Sequence, residues 1–120
     1  MTDRLKDPVQ FEIAFYEGVV KTRPDYIEAL VPLAEAYTRK GLYQKGMEID
    51  KRLVKLCPDD PFVYYNLACS YALLARKKEA LVTLRKAVEF GYADFTHMRK
   101  DQDLKSLHGE PGFESLASIA

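Results

Sequence analysis

Four residues recur at a fixed offset in this chain. Leu30, Leu33, Ala34 and Tyr37 are answered thirty-four positions later by Tyr64, Leu67, Ala68 and Tyr71, and Pro24 and Pro58 keep the same offset. A period of that length, carrying a large, Leu, small, Tyr spacing in each copy, belongs to arrays of helical hairpins, in which each unit buries its apolar face against its neighbours. The chain is therefore expected to be all-α.

The helices follow from periodicity and punctuation. Residues 1–7 read as a frayed tail. From Pro8 to about Thr22 the pattern predicts a helix with proline in its first turn, where the missing N–H costs little. At about 100° per residue, Val9, Ile13, Tyr16 and Val20 form one apolar stripe, and Phe11, Phe15 and Val19 a second. A surface helix needs one stripe, so this helix is expected to meet neighbours on two sides. The next helix spans about Tyr26 to Lys40, with Asp25 as its cap, Glu28 completing a capping-box-like pair and Gly41 ending it. Pro32 inside it removes one backbone hydrogen bond and is expected to bend the axis. A partner helix runs from about Tyr43 to Cys57. Asp60-Pro61 then opens a second pair, about 61–74 and 77–90, closed by Gly91. Beyond Tyr92 shorter helical fragments are predicted at Ala93–Lys100, Asp103–Leu107 and Pro111–Ile119.

At these residues the chain resembles the tetratricopeptide repeat family over about 8–116. Tyr64, Leu67, Ala68, Tyr71, Ala80, Leu84 and Ala87 stand at the packing positions of one repeat; Leu30, Leu33, Ala34, Tyr37, Gly46, Leu53 and Pro58 stand at those of the other. The small residues among them let helix backbones approach closely, and the large ones fill the space between hairpins. The resemblance implies an α–α superhelix, a right-handed array of antiparallel hairpins forming one domain over 1–120. Its parts are a leading half-repeat (8–24), two repeats (25–58 and 59–92) and a C-terminal helical cap (93–120). The tail Gly91-Tyr92, Asp94-Phe95, Asp101, Asp103-Leu104, Leu107, Pro111, Phe113 and Leu116 is similar to the closing unit of small bacterial members, which implies an intact C-terminus. Three residues depart from the pattern. Asp50 replaces a large apolar residue and, if buried, requires a hydrogen-bond donor; Ala75 replaces the inter-helix glycine; Tyr92 replaces the closing proline.

The resemblance implies a concave face able to hold a peptide or partner helix. In the second repeat that face carries Phe62, Tyr65, Asn66, Cys69, Ala72 and Leu73, too apolar for open water without a reason. In the first it carries Glu28, Val31, Glu35, Thr38 and Arg39. The ligand expected is a peptide with apolar anchors and a basic residue near Glu28 and Glu35; the competing expectation is that the C-terminal segment or a second copy covers the face. A carboxylate clamp of the family's chaperone-binding kind is not expected, because Val31 and Glu35 replace its lysine and asparagine although Asn66 fits. The alternative function is a homodimeric scaffold paired through Phe11, Phe15 and Val19 of the leading helix.

Composition narrows the remaining classes. Lys+Arg and Asp+Glu number 18 each, so no global field recruits nucleic acid or an acidic membrane surface. The basic runs Arg76-Lys77-Lys78 and Arg85-Lys86 read as solvated surface. Charges occupy the N-terminus where a signal peptide has an apolar core, and no run approaches the roughly 18 apolar residues of a membrane span. Cys57 and Cys69 read as free thiols of a reducing, cytoplasmic protein. His97 and His108 have no metal-ligand spacing to each other or to a cysteine, and no glycine-rich loop follows a strand. No enzyme activity, cofactor or metal is expected.

Overall fold

The computed structural model describes residues 7–119, with residues 1–6, the body of the tail read from sequence, lying outside them. The described chain is all-α: α1 Pro8–Thr22, α2 Ile27–Lys40, α3 Tyr43–Leu56, α4 Pro61–Leu73, α5 Lys77–Glu89, α6 Phe95–Lys100, a 3-10 helix Gln102–Leu107, and α7 Pro111–Ala117. Helices pack in consecutive pairs, as in tetratricopeptide-like folds. They gather into two compact units, one up to Leu56 and one from Cys57.

In the first unit α1 packs on α2 and α2 on α3. Asp7 caps α1, accepting from the Gln10 N–H at 3.1 Å, with Pro8 at the first helical position. Of the two α1 stripes, the one centred on Ile13 turns inward. Ile13 joins Leu33, Ala36 and Tyr37 in a core flanked by Val9, Tyr16, Val20 and Ile49. The Tyr37 hydroxyl donates to Glu17 of α1. The expected capping box of α2 is not formed. A turn closes instead from the Tyr26 N–H to the Arg23 carbonyl at 3.1 Å, and Tyr26 occupies the cap position with no side-chain hydrogen bond. That turn takes up Pro24 and Asp25, so Asp25 lies one residue too early to cap. α2 continues through Pro32 as one helix. Asp50 on α3 is 3 % exposed, and no buried side-chain polar atom among the described residues lacks a hydrogen-bond partner.

In the second unit α4 packs on α5. The chain after Gly91 folds back so that the 3-10 helix lies on α4 while α7 packs on α5 and α6. Asp60 caps α4 through the Phe62 N–H at 2.9 Å. Nine of the thirteen α4 residues are buried, a degree of burial that needs cover on more than one side. The tail supplies part of it through Tyr92 and through Leu104 and Leu107 of the 3-10 helix, while Phe95, Met98, Phe113 and Leu116 are buried in the same unit.

Three helices end alike. Gly41 (φ 84°), Ala75 (φ 61°) and Gly91 (φ 115°) take the left-handed conformation. The next N–H in each case bonds a carbonyl five residues back: Leu42 to Tyr37 at 2.8 Å, Arg76 to Tyr71 at 2.9 Å, Tyr92 to Ala87 at 2.9 Å. This closure satisfies carbonyls that the helix end leaves open and favours glycine at the left-handed residue. Ala75, thirty-four positions after Gly41, adopts it at a steric cost of about 1–2 kcal/mol.

Candidate partner-binding surfaces

On α2 the five residues singled out from sequence separate into two sets. Arg39 forms a two-pronged pair with Glu12 of α1, at 2.9 and 3.0 Å. That hydrogen bond holds the Glu12 carboxyl below its ordinary value and raises the Arg39 guanidinium. Thr38 donates to the Ala34 carbonyl at 3.1 Å, and its hydroxyl lies 3.3 Å from where a Cβ on Gly46 would stand. Thr38 therefore belongs to the seam between α2 and α3, and Arg39 ties α1 to α2. Glu28 and Glu35 are exposed with Val31 half-buried, and neither glutamate forms an ion pair among the described residues. Pro32 adds to this side, because it offers no N–H to the Glu28 carbonyl.

On α4 the expected open face is covered. Tyr65 is 5 % exposed and Cys69 7 %, and the cover is the chain's own C-terminal segment. The Tyr65 ring stacks on Tyr92 with centroids 4.2 Å apart and planes 4° from parallel. Its hydroxyl donates to Asp101 Oδ2 at 2.6 Å. Cys69 Sγ lies 3.8 Å from the same oxygen, and His97 Nε2 lies 3.3 Å from it. Asp101 Oδ1 accepts the Asp103 N–H at 3.0 Å, capping the 3-10 helix, and Ser106 Oγ donates to the Ala72 carbonyl at 3.0 Å. The apolar half of the face is consumed inside the fold. Phe62, 63 % exposed, and the exposed Asn66 stay at its edge, with Leu73 half-buried; the Phe62 ring meets Tyr92 edge-on at 5.9 Å.

Sequence reasoning missed Asp101 and Ser106 as the groups that close this face. The signal was present in part: an α4 too apolar for water, and a tail with apolar residues at Phe95, Met98, Leu104 and Leu107. His97 is exposed but turns its ring to Asp101 and Tyr65.

The electrostatics of this junction are those of a structural hub. Burial, then the neighbouring Cys69 and Asp101, push the Tyr65 phenol far above its ordinary value, so it remains a proton donor. Burial and the Asp101 charge raise the Asp103 carboxyl. The ligand atoms of Cys69, Asp101 and Asp103 lie within 4.8 Å of one another, but the Asp101 oxygens already serve Tyr65, His97 and the Asp103 backbone.

On α1, Phe11 and Phe15 are each 57 % exposed, with Val19 half-buried. The second stripe of this helix faces away from α2. No helix among the described residues is long and apolar enough to cross a membrane.

Residues 63–90, which cover most of α4 and α5, match the family model described as Tetratricopeptide repeat. Over 83 residues, 67 % of this chain, the sequence is 31 % identical to a chloroplastic protein of Arabidopsis thaliana; the match covers 25 % of that protein. The chain thus spans about a quarter of the length of that relative. The family match and the consecutive helix pairs together support a tetratricopeptide-repeat protein. Such repeats are generally non-catalytic and mediate binding to other proteins or peptides.

Proposed function

We propose, from the repeat match and the α2 surface, that this protein is a non-enzymatic interaction module that binds a peptide or partner helix. The observation that carries the reading is the pair of exposed glutamates on α2, Glu28 and Glu35, flanking the half-buried Val31. Two carboxylates one heptad apart lie on one side of a helix. They suit a partner that presents basic residues around an aliphatic contact, and steering by opposite charge raises its association rate. In the second unit, Phe62 and Asn66 are the members of the former face that a partner can still reach. The expected bacterial closing unit enters this reading as the segment that seals α4. Two thiols without a disulfide suit a reducing compartment such as the cytoplasm.

The test is capture of partners from native lysate by the wild type and by a Glu28→Lys/Glu35→Lys variant that keeps its helical circular dichroism. Partners held by the wild type and lost by the variant place binding on α2. An unchanged set removes that surface from consideration.

The exposed aromatic pair on α1 favours a second reading, a homodimer joined through Phe11, Phe15 and Val19. Light scattering at high micromolar concentration decides it. A monomer ends the idea, and a dimer that dissociates on Phe11→Ser/Phe15→Ser supports it.

A further inference from the structure

The outer face of α1 carries more than its two aromatic rings. Opposite the stripe that holds Ile13 in the core, Phe11, Phe15, Gly18 and Thr22 fall on one line at helical spacing, with Ala14 and Val19 on its flanks. All but the half-buried Val19 are exposed. The line is uncharged, and the carboxylates of α1 are turned to α2: Glu12 pairs with Arg39 and Glu17 accepts from the Tyr37 hydroxyl.

Gly18 is the informative residue. It stands inside a helix, where glycine is less favourable than alanine, and a Cβ added to it would meet nothing within 4 Å in this chain. One copy of the fold therefore gives no steric reason for a glycine. With Ala14 one turn before it, Gly18 makes a shallow place at which a second helix backbone can come close.

The order of residues along the line says which helix fits there. The two rings stand in the N-terminal half and the smaller Gly18 and Thr22 in the C-terminal half. A twofold axis across α1, midway between residues 16 and 17, sets Phe15 opposite Gly18 of a second copy and Phe11 opposite Thr22 of that copy, and it does so twice. The face is its own complement, each ring entering a hollow that the other copy supplies. Parallel pairing would set ring on ring and hollow on hollow.

We propose that two copies of this chain pair through α1 as antiparallel helices, closest at Gly18, with Phe15 of each copy seated over Gly18 of the other. This rests on the homodimer reading above and adds its direction, its register and its point of closest approach. The area sets the strength. Phe11 and Phe15 are each 57 % exposed, so at roughly 200 Å² per ring the four rings of a pair offer about 450 Å². One helix face from each copy stays below the roughly 1,200 Å² at which stable interfaces begin, which makes the dimer weak and reversible. A dissociation constant on the order of 100 μM is expected.

Sedimentation equilibrium of the full chain from about 10 μM to about 1 mM brackets that constant. The wild type should show a reversible monomer–dimer equilibrium. Gly18→Leu favours the helix and adds apolar surface, so a face that is merely sticky would associate more tightly. Close approach at Gly18 requires the opposite, a dimer at least about tenfold weaker. Phe11→Lys and Thr22→Glu should each weaken the dimer, and the double variant should recover most of the loss. Antiparallel order places the two introduced charges side by side across the interface, whereas within one helix they lie about 16 Å apart. Every substituted residue is exposed, and helical circular dichroism checks the fold. A wild type that stays monomeric throughout overturns this proposal together with the homodimer reading and leaves the face to a helix of another protein. A dimer that Gly18→Leu leaves intact or tightens overturns the close approach while the homodimer stands. A double variant no better than the weaker single one overturns the antiparallel order.

Discussion

The Tyr65 hydroxyl donates to Asp101 across thirty-six residues of sequence, at 2.6 Å. This bond joins the face of α4 to the segment that covers it. Asp101 also caps the 3-10 helix, so its loss strands a buried phenol and removes a cap. Asp101→Ala is expected to cost about 2–3 kcal/mol, and Tyr65→Phe about 1 kcal/mol. A double-mutant cycle by urea denaturation should return a coupling of about 0.5–3 kcal/mol. Strict additivity would mean that the bond contributes nothing to the closure.

Gly41 and Ala75 occupy equivalent left-handed helix ends and carry opposite expectations. Nothing lies within 4 Å of a Cβ built on Gly41, so Gly41→Ala meets no clash and its cost is conformational, about 1–2 kcal/mol. Ala75→Gly relieves the same cost, offset by the greater freedom that glycine gives the unfolded chain, for a net gain of about 0.5–1 kcal/mol. Denaturant midpoints of the two variants should move in opposite directions. A loss on Ala75→Gly would show that its φ of 61° is not strained.

The two stripes of α1 differ in what they support. Ile13, 2 % exposed, lies in the core with Leu33 and Tyr37, and Ile13→Ala is expected to cost about 2–4 kcal/mol. Phe15, 57 % exposed, should change monomer stability by less than about 0.5 kcal/mol on Phe15→Ala. If dilution removes no stability difference between Phe15→Ala and the wild type, the aromatic stripe does not stabilise an assembly. A large loss in dilute monomer would mean that α1 docks by the other stripe.

The docking of α1 should be acid-sensitive. Asp7 pairs with Lys40 and Glu12 with Arg39, and in each case the hydrogen bond to the cation holds the carboxyl below its ordinary value of 3.8 or 4.5. A carboxyl with a lowered folded value binds more protons when released. Its contribution is therefore complete above 3.8 or 4.5 and is lost as pH falls through the still lower folded values. Hydrogen exchange in α1 should be constant from neutral pH to about 4.5, after correction for intrinsic rates, and should rise relative to α3 only below that. Exposure and salt make the effect small. A rise already at pH 6 would point to some other group.

Much of the helical framework was legible because its signals are local. The left-handed closures at Gly41 and Gly91, the Asp60-Pro61 cap and the α4–α5 pair depend on residues within a turn or two of each other. Where a local signal failed, another local interaction won: the turn from Arg23 to Tyr26 displaced Asp25 from the cap of α2. The candidate surfaces were less legible. Tyr65, Cys69, Glu28 and Glu35 all fall on outward positions by periodicity, and periodicity cannot distinguish a face that meets water from one that meets a distant segment.

From the sequence alone followed the helical class, the thirty-four-residue period, the left-handed closures at Gly41 and Gly91 and the existence of a second apolar stripe on α1. Only the tertiary structure decided which α1 stripe turns inward, that Tyr65 and Cys69 lie beneath Asp101 and the 3-10 helix, and that Arg39 is spent on Glu12. Helix formation is settled by dihedral preference and hydrogen bonds within a few residues. Which side of a helix is buried is settled by the apolar area that a segment tens of residues away removes from water.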